Sequence, residues 1–516
     1  MNVDEELTLR LGDFSFRHIF HVVSTQRGGG PLHFWLEHFL LAWWPGLPAL
    51  RVPSLVFLCL ALPAVALVVR RLLDDDDAAG AVVLLTAASP IPVLYATFGR
   101  PHTMLFAWLM WSTVLALKAA VEGDRRLWAA AGAALGLSVF VHPTAPLYAL
   151  TAFAGALVFA PRAPREVVRE AWPGVAALLL TFVPYYVRTL HVLGDRYGVG
   201  SGQARGRTFS GRPVWEDALH FVAPGRHDLN YFTVLALIGV VALLVQRAHR
   251  TLAFCTLTVA APVLFFSFVP AGGDSALFFD RYMIPVTPAF LTVALAGCLA
   301  IARGAGSWRF LVLVLLVAGL LAVEIRYDVN HRNAVHRIGV DAVTQAVAHE
   351  PAGSVLFGST GTSGALFSSF DYGHPANILD HLVALRVSSV RLVDDDSCQR
   401  AEEFLHQPAS GRRFGLWLFY AATRGEAAAG KRALGVEPIG GHYFVVRSRR
   451  PASPRALIRE GLALRERWKR AVPFNRRVDE LLISDRQLLA GTCVPYGDLG
   501  DPDISPHWPP ALSSHQ

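Results

Sequence analysis

Hydrophobic and polar positions divide this chain into two unlike parts. Long apolar runs with short polar breaks fill residues 53–325, whereas residues 326–516 carry the mixed pattern of a water-exposed domain. A membrane-spanning helix needs about 20 mostly apolar residues, and runs of that length are too uniform to be strands. The pattern predicts ten spans, at residues 53–72, 79–97, 103–121, 126–141, 144–161, 172–190, 230–246, 250–269, 282–303 and 307–325. Some are short, so we expect the pair 126–141 and 144–161 to be bent or partly re-entrant.

Basic residues alternate from one break to the next along this membrane domain. The Lys- and Arg-rich breaks are at residues 70–71, 124–126, 162–169, 247–250 and 303–309, and between them lie the breaks at 99–103, 141–144, 191–229 and 270–280. Short cytoplasmic loops carry an excess of Lys and Arg, so the first set is predicted to be cytoplasmic and the second extracytoplasmic. The same alternation predicts an integral plasma-membrane protein whose amino-terminal residues and carboxy-terminal domain both lie outside.

A translocated amino terminus normally follows a hydrophobic helix, and residues 1–30 contain no such segment. We therefore expect a first span upstream of Met1 to be missing. The alternative is a short amino terminus that crosses the membrane unaided.

The amino-acid composition is that of a membrane protein, and the net charge indicates which classes of partner the protein contacts. Of the 516 residues, 53% are hydrophobic and 17% are charged, against about 45–50% apolar and about 25% charged residues in soluble domains. The net charge of +7 comes from basic residues between apolar runs, which indicates cytoplasmic loops and contacts with membrane lipids rather than a nucleic-acid partner. The predicted spans are nearly free of charge at their centres and show no convincing repeat, which argues against the alternative of a transporter or lipid-carrier flippase.

The first 52 residues are predicted to form an outer segment. It begins with an acidic cluster that contains Asp4 and Glu5, a pattern also typical of a solvated chain end or of a helix amino terminus. Residues 31–45, which follow "RGGG", are rich in Trp and Phe, and this composition predicts an amphipathic helix at the membrane surface. His33 and Glu37 lie one turn apart on that helix, where they either line a cavity or pack at the surface.

Residues 326–497 are predicted to form a small α/β domain, and residues 498–516 a disordered tail. Strand patterns are present at 353–358, 413–420 and 442–448, and amphipathic helix patterns at 334–350, 401–407 and 455–470. The glycine-rich stretch "GSTGTSG" at 358–364 lacks the lysine and the spacing of a phosphate-binding loop, so we interpret it as a turn. The expected fold class is therefore a polytopic all-α membrane domain followed by a small extracytoplasmic α/β domain.

Polar side chains at the predicted outer ends of spans are the candidates for substrate binding. They are Arg100 and His102 in one loop, Tyr186 and Arg188 where a span ends, and Arg281 and Tyr282 where another begins. Each has an alternative interpretation, because arginine and aromatic residues also anchor helices among lipid headgroups. Arg281 also fits an ion pair with Asp280, and His142, in the turn before Pro143, is better interpreted as a core or interfacial histidine.

Four segments in order carry a resemblance to a known family. They are "DEELT" (4–8), "GGPLHFWL" (29–36), "LRVPSLVF" (50–57) and "FDRYMIPVTPAFLTVALAG" (279–297). Together they resemble GT-C glycosyltransferases of the protein-mannosyltransferase and aminoarabinose-transferase type. That family shows an Asp-Glu pair, a Pro-Pro-Leu-x-Tyr/His-x-Leu segment, an Arg-x-Pro-Ser start to the next span and a late Arg-Tyr-x-x-Pro segment. The resemblance covers roughly residues 1–325.

The resemblance implies a GT-C-like domain that transfers a sugar from a polyprenyl-phosphate carrier to a lipid, glycan or protein acceptor at the extracytoplasmic face. An acceptor hydroxyl must lose a proton, so Asp4 is the expected general base, with Glu5 positioning the acceptor or a divalent ion such as Mg or Mn. Arg281 is the expected ligand of the carrier phosphate, and a cation in the loop of Arg100 and His102 is a second candidate for holding it.

The sequence departs from the family pattern in two places. The first span is absent, and the second outer loop, which commonly holds an acidic residue, has Arg100 and His102 instead. Whether His102 takes the place of a carboxylate is left open by the sequence.

Overall fold

The structure is a computed structural model that describes most of the membrane domain and part of the carboxy-terminal domain. The described residues are 8, 11–12, 14–27, 29–44, 47–197, 214–215, 218, 230–268, 280–332, 342–343, 345–358, 390–394, 412–421, 424–439, 443–472, 486 and 489–490. The chain divides into two compact units. Residues 14–42 and 48–332 form the helical unit, and residues 1–13, 43–47 and 333–516 form the sheet unit.

The helical unit begins with α1 (Phe16–Val22), which a π-helical turn (Val23–Arg27) extends. The helices that follow are α2 (Pro31–Trp43), α3 (Leu47–Leu73), α4 (Asp76–Ala88), α5 (Pro90–Ala96), α6 (His102–Glu122), α7 (Arg125–Leu137), α8 (Ala145–Phe159), α9 (Pro164–Tyr197), α10 (Tyr231–Val245), α11 (His249–Phe268), α12 (Thr287–Gly304) and α13 (Arg309–Arg332). Short 3₁₀ turns lie at Ser138–Phe140, Asp280–Met283 and Gly306–Trp308.

Helix occupies each of the ten predicted spans, which confirms a polytopic helical membrane domain. Within the described residues, six helices are long and apolar enough to cross a membrane, or seven if α4 and α5, bent by 58°, count as one span. The other three predicted spans are occupied by shorter helices than a span requires: α7 has 13 residues, and α8 and α10 have 15 each. At 1.5 Å per residue they are about 20–22 Å long, shorter than the roughly 30 Å hydrocarbon core.

Proline explains the break between α4 and α5. Ser89 precedes Pro90, and a residue before proline is driven towards extended backbone; its ψ of 130° shows that conformation. The chain then restarts a helix with proline at its first position, where the missing amide costs nothing.

Glycine lets neighbouring helices approach closely. A Cβ atom on Gly239 of α10 would overlap the backbone of Val293 in α12, and one on Gly132 of α7 would overlap the backbone of Gly174 in α9. Such contacts are typical of helix pairs in membranes, where small residues permit close backbone packing.

Helix α2 has one polar face that is buried rather than exposed. His33 and Glu37 are 1% and 0% exposed. Phe39 and Trp43 on the same helix are exposed, as a membrane-surface helix requires. The structure therefore favours the interpretation in which His33 and Glu37 face the interior.

The sheet unit holds a four-stranded sheet with the order β2-β1-β3-β4. Its elements are β1 (Ser354–Gly358), β2 (Val390–Asp394), β3 (Gly415–Tyr420), α14 (Arg424–Leu434), β4 (Tyr443–Arg447) and α15 (Pro454–Ala471). Strand β1 is parallel to β2 and β3, and β4 is antiparallel to β3. Trp468 of α15 is fully buried against Phe419 and Phe444 of the sheet, which accounts for the apolar face of that helix.

The small α/β domain predicted from the sequence is confirmed, with two differences. Strand β2 and helix α14 were not predicted; β2 alternates only briefly ("VRLVD") inside a polar stretch, and α14 is short and rich in alanine and charge, with one large apolar residue, Leu434. The predicted helix at 401–407, the turn residues 359–364 and the tail lie outside the described residues, and the helix at 334–350 is described only in part.

Candidate functional site

Two neighbouring helices hold the loop between α5 and α6. Gly99 allows this loop to lie against Leu50, because a Cβ atom there would fall 2.7 Å from the Leu50 Cβ and 2.8 Å from its carbonyl oxygen. The Ser54 hydroxyl donates to the Arg100 carbonyl at 3.2 Å, and His33 Nε2 donates to the Gly99 carbonyl at 3.4 Å. The loop that carries Arg100 is thus fixed by α2 and α3.

His33 is a neutral hydrogen-bond donor in this arrangement. Burial, followed by the positive charge of Arg100, lowers its pKa from 6.5 to about 3, and the bond to the Gly99 carbonyl acts in the opposite direction. Its Nε2 lies 4.0 Å from the Glu37 carboxyl group, which is also buried. His33 therefore joins α2 to the loop, and Glu37 is buried beside it.

His102, the first residue of α6, lies at the centre of the candidate site. It is 3% exposed, and its ring lies 5.1 Å from that of Tyr95 and 5.0 Å from that of His142 between centroids. Its Nε2 is buried and has no hydrogen-bond partner among the residues that the structure describes. Arg100 and Arg281 both lie close enough to act on this ring electrostatically.

Arg281, which lies far beyond His102 in the sequence, is positioned by a 3₁₀ turn. Within Asp280–Met283, the Tyr282 carbonyl accepts a hydrogen bond from the Tyr148 hydroxyl at 2.5 Å. The Tyr282 ring stacks on Phe266 at 5.1 Å, and the Arg281 guanidinium lies 5.9 Å from the centre of the Tyr282 ring. These contacts fix the backbone on which Arg281 stands.

We call Arg100, His102, His142 and Arg281 the cationic cluster. The Nε atoms of both arginines are buried. The four residues come from three breaks that the charge pattern assigns to one side of the membrane. Three separate loops thus meet at one end of the helical unit, where Arg100 and Arg281 supply the positive charge.

Tyr186 and Arg188 make their contacts elsewhere. Arg188 Nε donates to the Ser24 hydroxyl at 3.2 Å, and its guanidinium lies 5.3 Å from the Phe20 ring. The Tyr186 ring packs on Phe182 of its own helix, at 5.8 Å. The contacts of Arg188 join α9 to α1 and the π-helical turn, and a substrate-binding role for this pair stays a prediction.

The predicted catalytic pair, Asp4 and Glu5, lies outside the described residues, so its role also stays a prediction. Within the described part of the chain, no group of three or more His, Cys, Asp and Glu side chains is arranged to hold a metal ion. Binding of a divalent ion by Asp4 and Glu5 likewise stays a prediction, because both residues lie outside the described part of the chain.

Two buried residues with long-range hydrogen bonds, one of them next to this site, were missed from the sequence. The sequence did not single out Tyr148, because a tyrosine within an apolar run is expected to pack in the core. Glu324 did give a signal: it is a lone carboxylate inside the run "LLAVEIRY", and such residues are rarely without a role. Its side chain is fully buried and accepts a hydrogen bond from the Ser89 hydroxyl at 3.0 Å, at the break between α4 and α5.

A small apolar cavity of about 30 Å³ adjoins the 3₁₀ turn that carries Arg281. Residues of α3, α6, α8, α11 and α12 line it, together with Pro285 just after the 3₁₀ turn. Tyr148 is one of the lining residues, and its hydroxyl contacts the turn that carries Arg281. Through Tyr148 and Pro285 the cavity borders the turn that carries Arg281, and its other lining residues belong to the interior of the helical unit.

Comparison with known proteins identifies the family to which this architecture is similar. Residues 29–187 match the family described as dolichyl-phosphate-mannose-protein mannosyltransferase. The resemblance predicted from the sequence is confirmed over these residues. The matched stretch includes His33, Arg100, His102 and Tyr186, whereas Arg281 lies beyond it.

Two solved structures are similar to most of the chain. One is ArnT from Cupriavidus metallidurans bound to undecaprenyl phosphate, with 14% sequence identity, a TM-score of 0.47, and coverage of 86% of this chain and 93% of that chain. The other is the same protein in the apo state, with 14% identity, a TM-score of 0.48 and the same coverage. No curated protein matches this chain.

Proposed function

We propose that this protein is an integral membrane glycosyltransferase that moves a sugar from a polyprenyl-phosphate carrier to an acceptor at the extracytoplasmic face of the plasma membrane. One observation carries the proposal: Arg100 and Arg281 meet at His102, and the turn that carries Arg281 is hydrogen-bonded to Tyr148 in the apolar interior of the helical unit. A carrier of this kind has a charged phosphate and a long hydrocarbon tail, so it needs both features side by side.

The two arginines match the chemistry of the leaving group. When the bond between sugar and phosphate breaks, negative charge develops on a phosphate oxygen, and guanidinium groups stabilise it through charge-assisted hydrogen bonds. Both Nε atoms are buried, and electrostatic stabilisation is stronger where water is excluded.

The acceptor hydroxyl must lose its proton as it attacks the sugar, which requires a base. In this proposal Asp4 is that base, and Glu5 positions the acceptor or holds a divalent ion with phosphate oxygens. The family matched by residues 29–187 acts, by its description, on a lipid-linked sugar, which supports the same reaction type here. The sugar and the acceptor are not specified by these observations.

Sidedness follows from the loops that form the cluster. All three are poor in Lys and Arg compared with the breaks that alternate with them, a pattern of extracytoplasmic loops. The amino-terminal acids and the sheet unit are assigned to the same compartment by the same alternation.

The experiment is a transfer assay with the full-length protein in lipid nanodiscs. Polyprenyl-phosphate carriers with different sugars are supplied together with a membrane extract as acceptor source, and transfer is followed by mass spectrometry of carrier and product. Asp4→Asn should reduce transfer by about 10²-fold or more, whereas Glu6→Gln, a neighbouring acid of the same cluster, should retain it.

Arg281→Gln is the second test variant, and Arg303→Gln at the exposed carboxyl end of α12 is its matched control. Loss of transfer in the first and retention in the second supports the cluster as the phosphate site. Full activity of Asp4→Asn would remove Asp4 as base. A wild-type protein that moves the carrier across the membrane without consuming it would favour the flippase alternative.

A further inference from the structure

We infer that His142, held by Thr144, donates a hydrogen bond to the carrier phosphate in the transfer site proposed above, so that its role rests on that proposed function. The sequence alone favoured a core or interfacial histidine at this position. The structure buries it, and its contacts place it among the residues of the cationic cluster in a fixed orientation.

Two hydrogen bonds from one neighbour determine where the His142 ring carries its proton. The Thr144 backbone N–H donates to His142 Nδ1 at 3.2 Å, and the Thr144 hydroxyl lies 2.8 Å from the same nitrogen. A backbone N–H only donates, so Nδ1 accepts and carries no hydrogen. The ring is therefore the neutral tautomer with its proton on Nε2, the nitrogen on the side away from Thr144.

The position of the ring is fixed as well as its tautomer. The His142 ring lies 5.0 Å from that of His102 and 6.0 Å from that of Tyr282, the residue next to Arg281. The turn behind it is packed tightly, because Gly30 lies against the backbone of Phe140 and Val141. His142 is 9% exposed, so its donor is largely shielded from water but lies at the edge of the site.

A neutral donor suits this place better than a third cation. Arg100 and Arg281 already act on His102 electrostatically. Another positive charge beside them would be repelled before the phosphate binds, whereas an N–H group adds a hydrogen bond to the anion without that repulsion. Thr144 is thus a positioning residue that keeps His142 a donor rather than an acceptor towards the phosphate.

Substitution of His142 by glutamine or by asparagine distinguishes the role of Nε2 from that of Nδ1. The amide of glutamine reaches about as far as Nε2 and can donate to the ligand, whereas the amide of asparagine reaches about as far as Nδ1 and can only replace the contact with Thr144. His142→Gln should therefore retain the function that His142→Asn loses. Thr144→Val removes the hydroxyl and keeps the shape, and Thr144→Ser restores the hydroxyl.

The experiment measures binding of two probes to the full-length protein in nanodiscs. Undecaprenyl phosphate reports on phosphate and tail together, and undecaprenol, which lacks the phosphate, reports on the tail. His142→Asn should weaken undecaprenyl phosphate binding by about 10- to 100-fold, the range for a hydrogen bond to a charged group. His142→Gln should stay within about threefold of wild type, and Thr144→Val should weaken binding by about threefold with rescue in Thr144→Ser. Undecaprenol binding should be unchanged in all four variants.

The outcomes distinguish this inference from the proposed function. If His142→Asn binds undecaprenyl phosphate as wild type does while Arg281→Gln does not, the inference is overturned and the proposed function stands. If the His142 and Thr144 variants weaken both probes equally, their role is in packing and the inference is also overturned. If wild type binds neither probe, the proposed function fails and the inference fails with it.

Discussion

The contact between Gly30 and the turn that carries His142 permits a sharp test of the site geometry. Gly30 stands at the start of α2, in the segment that resembles the family signature. A Cβ atom at Gly30 would lie under 3.0 Å from the Phe140 carbonyl and from the Val141 backbone. Gly29, its neighbour, would place a Cβ atom 3.5 Å from the Val23 side chain, an ordinary contact. The two glycines thus differ in one respect, the space available for a methyl group.

Gly30→Ala must therefore displace backbone rather than a flexible side chain. Carbon atoms pack at about 3.5–4.0 Å, so α2 and the 140–141 turn must separate by roughly 1 Å. Overpacking of this kind costs about 1–3 kcal/mol. A misplacement of about 1 Å at a catalytic centre lowers rates by about 10²-fold. We expect a lower melting temperature and a greater loss of transfer than stability alone explains.

The assay compares Gly30→Ala with Gly29→Ala, both as full-length protein in nanodiscs. Thermal unfolding by intrinsic tryptophan fluorescence gives stability, and transfer from the polyprenyl-phosphate carrier gives activity at a temperature where both variants are folded. Gly29→Ala should match wild type in both measurements. Equal stability and equal activity of the two variants would refute the tight approach of α2 to the turn, and with it the geometry on which the position of His142 depends.

Two further predictions concern the loop that holds Arg100. Ser54→Ala removes the hydroxyl that donates to the Arg100 carbonyl; we expect about 1 kcal/mol lower stability and about fivefold less transfer, measured by thermal unfolding and by the transfer assay. His33 has a folded-state pKa of about 3, below its unfolded value of 6.5, so the unfolded chain binds the extra proton in between. Stability should fall by up to about 1.4 kcal/mol per pH unit as pH drops below 6.5 towards 3, and His33→Gln should remove this part of the dependence when melting temperatures are compared across pH. An unaltered pH dependence in that variant would contradict the burial of the ring.

Much of the architecture was predictable because membrane helices obey a strong local rule. Each apolar run had to become a helix, since backbone groups in lipid have no water to bond with. The positions of Arg100 and Arg281 at one end of the unit followed from alternation of the loops. Span completeness was only partly predictable: the pair 126–141 and 144–161, which forms α7 and α8, was expected to be bent or partly re-entrant, whereas nothing in the run 230–246 indicated that α10 would have only 15 residues.

The details of the site depended on contacts between residues far apart in sequence. Gly99 against Leu50 and the Tyr148 hydroxyl on the Tyr282 carbonyl join segments separated by about 50 and about 130 residues. No local pattern encodes such a pair. The neighbours of His142 were hidden for the same reason, because they depend on which loop packs beside it. Glu324 shows the opposite case, a local signal that was present and was overlooked.

Charge in the cluster also determines which step Arg281 should affect. A sugar carried on a polyprenyl phosphate is a phosphodiester with one negative charge, and the released polyprenyl phosphate is a monoester that carries about −1.5 to −2 at pH 7. Charge on the phosphate therefore grows as the glycosidic bond breaks. A guanidinium group beside it gains more in the transition state than in the donor complex, and only such a differential interaction raises kcat.

Arg281→Gln should accordingly lower kcat by about 10²-fold. The KM for the donor should rise by no more than about threefold, and inhibition by free polyprenyl phosphate should weaken more than donor binding does. The control is Arg303→Gln at the other end of α12, where the side chain is exposed and both constants should match wild type. The opposite pattern, a raised donor KM with kcat unchanged, would mean that Arg281 binds donor and transition state equally. In that case the cluster would act as an anchor for the carrier, and the charge that develops on the leaving phosphate would have to be stabilised by other residues.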